Sequence, residues 1–174
     1  MTCFFFYLIF HFMLKAIFPG SFDPLTLGHL NIIERASVIF GEVAVVVADN
    51  RQKSKLFSIE ERLEMVRETV KPMKNVRCFT WDSLIVDFMK RENISIIIRG
   101  IRGMDDFSYE FELSMINKAL YPHIETFLMS TDPKYLVLRS SSIKEIASYQ
   151  GDVSQMVPAL VAEALKKKYL PVNK

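Results

Sequence analysis

A phosphate-binding turn is predicted between Pro19 and His29, where the sequence reads PGSFDPLTLGH. A short apolar strand runs into the Pro-Gly turn, and a helix then opens near Thr26, with Gly28 and His29 in its first turn. The start of a helix collects unpaired backbone N–H groups and the positive end of the helix dipole, which together favour a phosphate. A histidine there can stabilise negative charge that develops on a phosphoryl group. His29 is therefore the candidate catalytic residue, although a lone histidine at a helix start often serves structure alone.

Cationic and hydroxyl side chains follow other predicted elements. The segment RGIRG (99–103) comes directly after a strongly apolar strand, and two arginines separated by a small turn can grip separate phosphates. The segment NRQKSK (50–55) follows the second predicted strand. We expect Lys53 and Arg99 to follow adjacent strands and to point into one crevice. Three serines (140–142) open a later helix and suit either N-capping or a phosphate nest.

An obvious nucleophile or general base is missing from the sequence. Neither a GxxxxGK[ST] loop nor a GxGxxG fingerprint follows a strand, and no Ser-His-acid or Cys-His arrangement has a recognisable context. The chain therefore offers phosphate binders and one histidine. That set suits a reaction in which a substrate supplies its own nucleophile while the protein positions the reactants and neutralises charge.

The elements that must position these residues alternate between apolar runs and amphipathic stretches. Strands are predicted at 14–18, 43–48, 76–80, 94–98 and 125–129, and helices at 27–40, 58–70, 84–91, 107–120, 141–149 and 158–169. This alternation predicts an α/β fold, a single doubly wound, five-stranded parallel sheet of Rossmann-like type with C-terminal helices. Ligands of such sheets bind beyond the carboxyl ends of the strands, where the candidate residues collect.

Composition limits the class of protein. The chain has 174 residues, of which 50% are hydrophobic and 24% charged, as expected for one globular domain with a full core. The net charge is only +2 and no long basic run is interleaved with aromatic residues, so we expect no nucleic-acid partner. The two cysteines, Cys3 and Cys78, indicate a reducing, cytoplasmic compartment, and no metal-ligand spacing is present.

An apolar, aromatic leader occupies residues 1–12. It lacks the positive n-region and the cleavage site of a signal peptide, and it is shorter than the ~20 apolar residues of a membrane span. A membrane anchor is therefore the less favoured interpretation. Met13 directly precedes the first strand, so we expect a mis-assigned start and a domain that spans 13–174.

Several motifs carry a resemblance to a known family. The GSFDP and TLGH segments resemble the His-x-Gly-His phosphate motif of the nucleotidylyltransferases, with Thr26 in place of the first histidine. This threonine form is similar to the bacterial phosphopantetheine adenylyltransferases when it is combined with RGIR (99–102), DFSYE (106–110) and QGDV (150–153). The resemblance extends from about Lys15 to Tyr169.

The resemblance implies an activity and a set of site residues. Family members reversibly transfer the adenylyl group of ATP to 4′-phosphopantetheine, giving dephospho-coenzyme A and pyrophosphate, with Mg²⁺ bound mainly through the ATP phosphates. The resemblance also implies a cytoplasmic homohexamer in which His29 is catalytic. It implies that 4′-phosphopantetheine is held by Ser21, Lys53, Ile85 and Arg99. It implies that ATP is held by Ser21, Phe22, His29, Gly100, Ile101, Arg102, Glu110, Tyr135, Leu136, Val137, Leu138, Arg139, Ser140 and Ser141.

Two departures from the family pattern affect the expected site. Arg51 stands where relatives often have proline before the lysine, and RSSSIK (139–144) is one residue shorter than SSSxxK after its third serine. Arg139 would thus occupy the position of the first serine.

Two other functions stay open at this point. One is another nucleotidylyltransferase, of the cytidylyl or nicotinamide-nucleotide type, which an exchange assay with ATP and CTP would separate. The other is a non-catalytic nucleotide-binding module, which would release no pyrophosphate.

Overall fold

Five strands form one parallel sheet within residues 14–49 and 54–170, the part of the chain that the computed structural model describes. The strands are β1 (Lys15–Gly20), β2 (Glu42–Ala48), β3 (Val76–Trp81), β4 (Ile96–Ile101) and β5 (Glu125–Ser130). Their order across the sheet is β3-β2-β1-β4-β5. The predicted α/β fold is confirmed. The leader at 1–12, Arg51 and Lys53 lie outside the described residues, and so do the predictions made for them.

β-branched residues dominate strand β2, which is buried on both faces of the sheet. In β2, residues 43–47 are at most 1% exposed, because helices cover both faces of a doubly wound parallel sheet. Side chains of a strand alternate between the two faces. Accordingly, Phe18 of β1 contributes to the core on one face, while Ile17 contributes to the core on the other.

Six α-helices lie in the described residues, and capping side chains fix the starts of two of them. Thr26 and Ser58 each cap a helix through a capping box, in which the side chain three residues later bonds back to the cap. The helices are α1 (Leu27–Ile39), α2 (Ile59–Val70), α3 (Ile85–Glu92), α4 (Met104–Leu120), α5 (Ser140–Ser148) and α6 (Ala159–Tyr169). None of them combines the length and the apolar character that crossing a bilayer requires.

Two cores hold the helices to the sheet. The larger core packs α1, α2, α5 and α6 on one face, with Ile33, Val66, Ile143 and Val161 among its buried residues. The smaller core packs α3 on the opposite face through residues such as Phe88. The long helix α4 contacts β4 and β5 and buries only polar residues, Glu110 and Asn117, while much of its apolar surface is exposed.

The sheet corrects two expectations about the cationic segments. Arg99, Gly100 and Ile101 do not follow a strand but belong to β4, because the parallel pairing with β5 continues to Ile101↔Ser130. In addition, β2 and β4 are not adjacent, since β1 lies between them and pairs with both. The chain order therefore reverses between β1 and β4, which is the switch point where ligands of such sheets bind.

Candidate active site

A cleft of about 460 Å³ lies at this switch point, beyond the carboxyl ends of β1 and β4. Its wall is formed by the turn after β1, the start of α1, the end of β4, one residue of α4 and the start of α5. The predicted site residues on this wall are Ser21, His29, Arg99, Gly100, Arg102, Glu110, Leu138, Arg139, Ser140 and Ser141. One concave surface thus brings together the candidates from four separate parts of the chain.

Other predicted residues lie off the wall of the cleft. Ile85 begins α3 and packs against the smaller core, which lies on the opposite face of the sheet from α1. Ile101 ends β4, and a short 3₁₀ turn (Pro133–Tyr135) leads into Leu136 and Val137, which are both exposed. Tyr135 does not line the cleft either, although its Cβ would lie 3.7 Å from a Cβ added to Gly28.

The turn after β1 is held in an unusual backbone conformation. Phe22 has a φ of 46°, in the left-handed region that side chains other than glycine rarely adopt. Its ring is 1% exposed and makes edge contacts with Phe18 and His29. A Cβ on Gly20 would lie 2.9 Å from Cζ of this ring, so the glycine lets the ring cover the end of β1. Phe22 therefore shapes the turn from behind the cleft wall.

His29 has one nitrogen committed to the helix and one available to the cleft. The backbone N–H of Thr26 donates to Nδ1 of His29 at 3.1 Å, and the backbone N–H of His29 donates to Oγ1 of Thr26 at 3.2 Å. Because Nδ1 accepts a hydrogen bond, the proton of the neutral ring is assigned to Nε2. Burial, aided by the positive charge of Arg102, lowers the pKa of His29 to about 4. His29 is thus a neutral hydrogen-bond donor at pH 7.

The two arginines on the β4 side are each paired with a carboxylate of α4. Arg99 donates to both oxygens of Glu110, at 2.6 and 2.7 Å, and also to the carbonyl of Pro19. Arg102 binds Asp106 through Nε at 2.8 Å, and its guanidinium holds the pKa of Asp106 below the usual range. The structure therefore joins Arg99 and Glu110, which the family resemblance assigns to different substrates, into one ion pair.

The start of α5 is tied to both sides of the cleft. Arg102 donates to the carbonyl of Leu138 at 3.1 Å, and the Ser140 hydroxyl donates to the carbonyl of Pro24 at 2.9 Å. Arg139 is the N-cap of α5, but its side chain makes no capping hydrogen bond. Ser141, in the first turn, is exposed. The first-turn N–H groups of α5 thus border the cleft beside an arginine.

Several residues that build the site were missed by the sequence reasoning. Asp23 is 3% exposed and accepts hydrogen bonds from the backbone of Leu56 and Phe57 and from Nζ of Lys144, at 2.8 Å. These bonds and the charge of Lys144 outweigh the effect of burial, so the pKa of Asp23 is lowered. No local signal reveals this contact because Asp23 and Lys144 lie 121 residues apart. The cleft wall also includes Ile32 and Thr131.

The donor set of the cleft does not form a metal cage. Within residues 14–49 and 54–170, no three His, Cys, Asp or Glu side chains are grouped so that they could hold a metal ion. Glu110, which lines the cleft, is already engaged by Arg99. Magnesium is usually held by one or two carboxylates together with substrate phosphates and water. The residues present are compatible with Mg²⁺ that arrives on a nucleotide.

Comparison with known proteins agrees with this architecture. The model of the cytidylyltransferase-like family matches residues 17–146. The phosphopantetheine adenylyltransferase of Dictyoglomus turgidum is 48% identical over 157 residues, which cover 90% of this chain and 98% of the relative. That of Clostridium tetani is 49% identical over 153 residues, 88% of this chain and 96% of the relative. The chain belongs to the phosphopantetheine adenylyltransferase family.

A solved structure supports the fold of this family member. The Plasmodium falciparum nicotinic acid mononucleotide adenylyltransferase, solved in complex with NaAD, has a TM-score of 0.66 at 16% identity. The match covers 90% of this chain and 96% of that chain. At this identity the likeness concerns the fold alone. The family resemblance drawn from the TLGH and RGIR motifs is confirmed, whereas the role of each site residue stays a prediction.

Proposed function

We propose that this protein transfers the adenylyl group of ATP to 4′-phosphopantetheine, giving dephospho-coenzyme A and pyrophosphate in coenzyme A biosynthesis. One observation carries the proposal. The described wall of the cleft presents cationic side chains and neutral hydrogen-bond donors. Its carboxylate, Glu110, is already paired with Arg99 and is not free to act as a general base. Such a site suits a substrate that is itself the nucleophile, and the phosphate of phosphopantetheine is one. Relatives that are 45–49% identical over most of the chain carry this activity in their names.

The turn after β1 would serve the reacting phosphorus. Nε2–H of His29 would donate to an oxygen of the α-phosphate, where negative charge increases as the acceptor oxygen attacks. A neutral donor performs this role without a proton transfer, and a fixed donor needs no reorganisation when the charge develops. Ser21 and the backbone of Phe22 would bind phosphate oxygens beside it. The acceptor phosphate already carries its negative charge, so the step requires no general base.

The β4 side and the start of α5 would hold the two substrates. We assign the acceptor phosphate to Arg99 and Lys53, and the pantetheine arm of the same substrate to Ile85. The nucleotide is assigned to residues 100–102, Glu110 and the segment 135–141. For Ile85 to contact the arm, the substrate must extend out of the cleft, because that side chain packs on the opposite face of the sheet. Mg²⁺ bound through the ATP phosphates would neutralise part of their charge.

We also propose that the protein assembles as a homohexamer in the cytoplasm. An apolar row runs along α4, where Met104, Phe107, Phe111 and Met115 are 38–74% exposed, and Phe107 stacks on Phe111 at 6.1 Å. Residues three and four apart share one side of a helix, so these side chains form a continuous strip. An exposed strip of this kind marks an interaction surface. Multi-angle light scattering tests the assembly, and a monomer at working concentration would contradict it.

The experiment that tests the activity is pyrophosphate release with ATP and 4′-phosphopantetheine together. We expect release only when both are present, along with a product of the mass of dephospho-coenzyme A. CTP in place of ATP, and nicotinamide mononucleotide in place of the acceptor, provide the specificity controls. Turnover with either control substrate that matches turnover with the proposed pair would reject the assignment. Nucleotide binding without any pyrophosphate release would indicate a non-catalytic module.

A further inference from the structure

Arg62 is a buried arginine behind the turn that follows β1. It lies on α2 and is only 1% exposed, and the wall of the cleft does not include it. An arginine is almost never fully buried unless it is paired, because removing its charge from water is costly. The groups that contact Arg62 must therefore compensate the cost of burying its charge.

The Arg62 guanidinium joins three separate segments of the chain. Nη1 donates to the carbonyl of Ser21 at 2.8 Å and to that of Ala48 at 3.2 Å. Nη2 donates to Oδ1 of Asp49 at 2.9 Å. Nε donates to the carbonyl of Ser58, the N-cap of α2, and to the carbonyl of the residue before it. The turn after β1, the end of β2 and the start of α2 are thus fixed by one planar group.

The bond to Ser21 sets the direction of a peptide group in the cleft wall. The structure contains one cis peptide among its described residues, at Asp23–Pro24, so the Ser21–Phe22 peptide is trans. In a planar trans peptide the C=O and the following N–H point in opposite directions. Because the Ser21 carbonyl points to Arg62, the Phe22 N–H points away from it. That N–H makes no hydrogen bond to another described residue.

The same bond holds a conformation that would otherwise relax. A residue other than glycine in the left-handed region carries strain, which persists only where the surroundings fix it. Phe22, at φ 46°, follows the bonded carbonyl directly, and its ring contacts His29 with centroids 5.2 Å apart. A change in the Ser21–Phe22 peptide would therefore also change the packing of the His29 ring.

We propose that Arg62 is a positioning residue for adenylyl transfer, because it fixes the Ser21–Phe22 peptide and, through the Phe22 ring, the orientation of His29. For its kinetic consequence this inference rests on the proposed function. A buried ion pair is weak evidence of a role in stability alone, since apolar residues of similar volume often replace such pairs without loss. Positioning is what an apolar replacement cannot supply.

Arg62→Met tests the proposal, with Arg67→Met as the matched control. Arg67 lies on the same helix, its side chain is 55% exposed, and it pairs only with Glu64 at 3.7 Å among the described ion pairs. At a temperature where circular dichroism shows each variant folded, we expect Arg62→Met to lower kcat about 100-fold, the loss typical of a displaced reacting group, with KM for ATP within threefold of wild type. Arg67→Met should match wild type. Arg62→Lys keeps a buried cation that can still reach a carbonyl, so it should recover part of the rate.

A spectroscopic measurement separates positioning from folding and from the proposed function. With ¹⁵N-phenylalanine labelling, inorganic pyrophosphate should shift the Phe22 amide signal in wild type and in Arg67→Met but not in Arg62→Met. This binding experiment does not depend on the acceptor substrate. If wild type releases no pyrophosphate from ATP and phosphopantetheine, the proposed function fails while the shift still reports on Arg62.

Two outcomes would overturn the role of Arg62. One is a folded Arg62→Met that keeps kcat within threefold of wild type. The other is a pyrophosphate-induced shift of the Phe22 amide signal in Arg62→Met that is as large as in wild type. If Arg62→Met does not fold, Arg62→Lys takes its place in both measurements. Wild-type activity in Arg62→Lys, together with a pyrophosphate-induced Phe22 shift as large as in wild type, would show that the guanidinium geometry at Ser21 has no catalytic consequence.

Discussion

The two walls of the cleft are built from different chemistry. On the β1 side, Ser21 and His29 are uncharged, and the charged groups Asp23 and Arg62 lie buried behind them. On the β4 side, Arg99 and Arg102 line the cleft directly, and each is paired with a carboxylate of α4. One wall is therefore neutral and fixed from behind, whereas the other is charged but internally compensated.

This difference indicates a division of labour between the walls. A fixed, neutral donor acts on charge that appears during the reaction, because it is already in place when the charge develops. Paired arginines lose part of their attraction for an anion until the anion shares or displaces the carboxylate. We therefore expect changes on the β1 wall to affect kcat and changes on the β4 wall to affect substrate binding.

The largest effect is expected for His29 on the β1 wall. His29→Ala should lower kcat about 10²–10³-fold, the usual loss when one donor to a developing charge is removed, while ATP affinity changes little. Steady-state kinetics and calorimetric titration of ATP measure the two quantities. If ATP binding weakened as much as turnover fell, His29 would be a ligand of the ground state, and the two walls would not differ as described.

Capping must be separated from catalysis in that experiment, because Nδ1 of His29 accepts a bond from the Thr26 backbone. His29→Asn is the control, since its amide oxygen can replace Nδ1 while no donor reaches as far as Nε2. We expect this variant to be more stable to urea than His29→Ala and equally slow. Recovery of the rate in His29→Asn would assign the effect to the helix cap.

The neutral state of His29 predicts how the stability of the protein depends on pH. In the folded protein the pKa of His29 is about 4, against 6.5 for a free histidine, so between these values the unfolded chain binds more protons. The contribution of His29 to stability is therefore intact above pH 6.5 and declines as the pH falls toward 4, by roughly 3 kcal/mol in all. Urea unfolding at each pH, with His29→Asn as the reference, measures this term. Equal pH dependence in both proteins would contradict it.

Arg99 is the corresponding test of the charged wall. Arg99→Lys keeps the charge but cannot bind Glu110 or a phosphate through two parallel bonds, so we expect phosphopantetheine to bind roughly 10–100-fold more weakly. ATP binding should change little, as measured by calorimetric titration of each substrate. The same selectivity is expected of Lys53→Ala. A selective loss of ATP binding in Arg99→Lys would mean that the two substrates are placed the wrong way round.

Glu110→Gln is the matched variant on the same wall, since it leaves Arg99 in place and removes the opposing charge. Acceptor binding should become tighter by a few-fold at low salt, and this gain should fade as salt screens the released arginine. Weaker binding in Glu110→Gln would show that the carboxylate orients Arg99 and does not compete with the phosphate.

The elements of the fold were predictable because their signals are local. The β-branched run of β2 and the capping box at Ser58 each fall within a few residues, and the elements to which they belong lie close to the predicted strand (43–48) and helix (58–70). The order of the strands is not a local property, so the expected adjacency of the Lys53 and Arg99 strands was wrong.

The supporting contacts of the site were unpredictable for a related reason. In sequence, Arg62 sits in a charged stretch of α2 and resembles an exposed residue, yet the packing of the helix buries its side chain. The Arg99–Glu110 pair depends on how α4 rotates against β4. Such contacts follow from tertiary geometry, whereas the capping box of the TLGH motif lies within one turn of helix.

The smallest effect is expected at Arg139, which lines the cleft at the start of α5. Its side chain makes no capping bond, and a positive charge opposes the dipole at a helix N-terminus. Arg139→Ser can accept a hydrogen bond from a first-turn N–H, so it should be more stable than Arg139→Ala by about 1 kcal/mol in urea unfolding. Both variants lose the same cation, so both should raise KM for ATP by a similar few-fold factor. Equal stability of the two variants would show that α5 gains nothing from a cap. An unchanged KM in both would remove Arg139 from the charged wall and leave that wall to Arg99 and Arg102, whose carboxylate partners already compensate them.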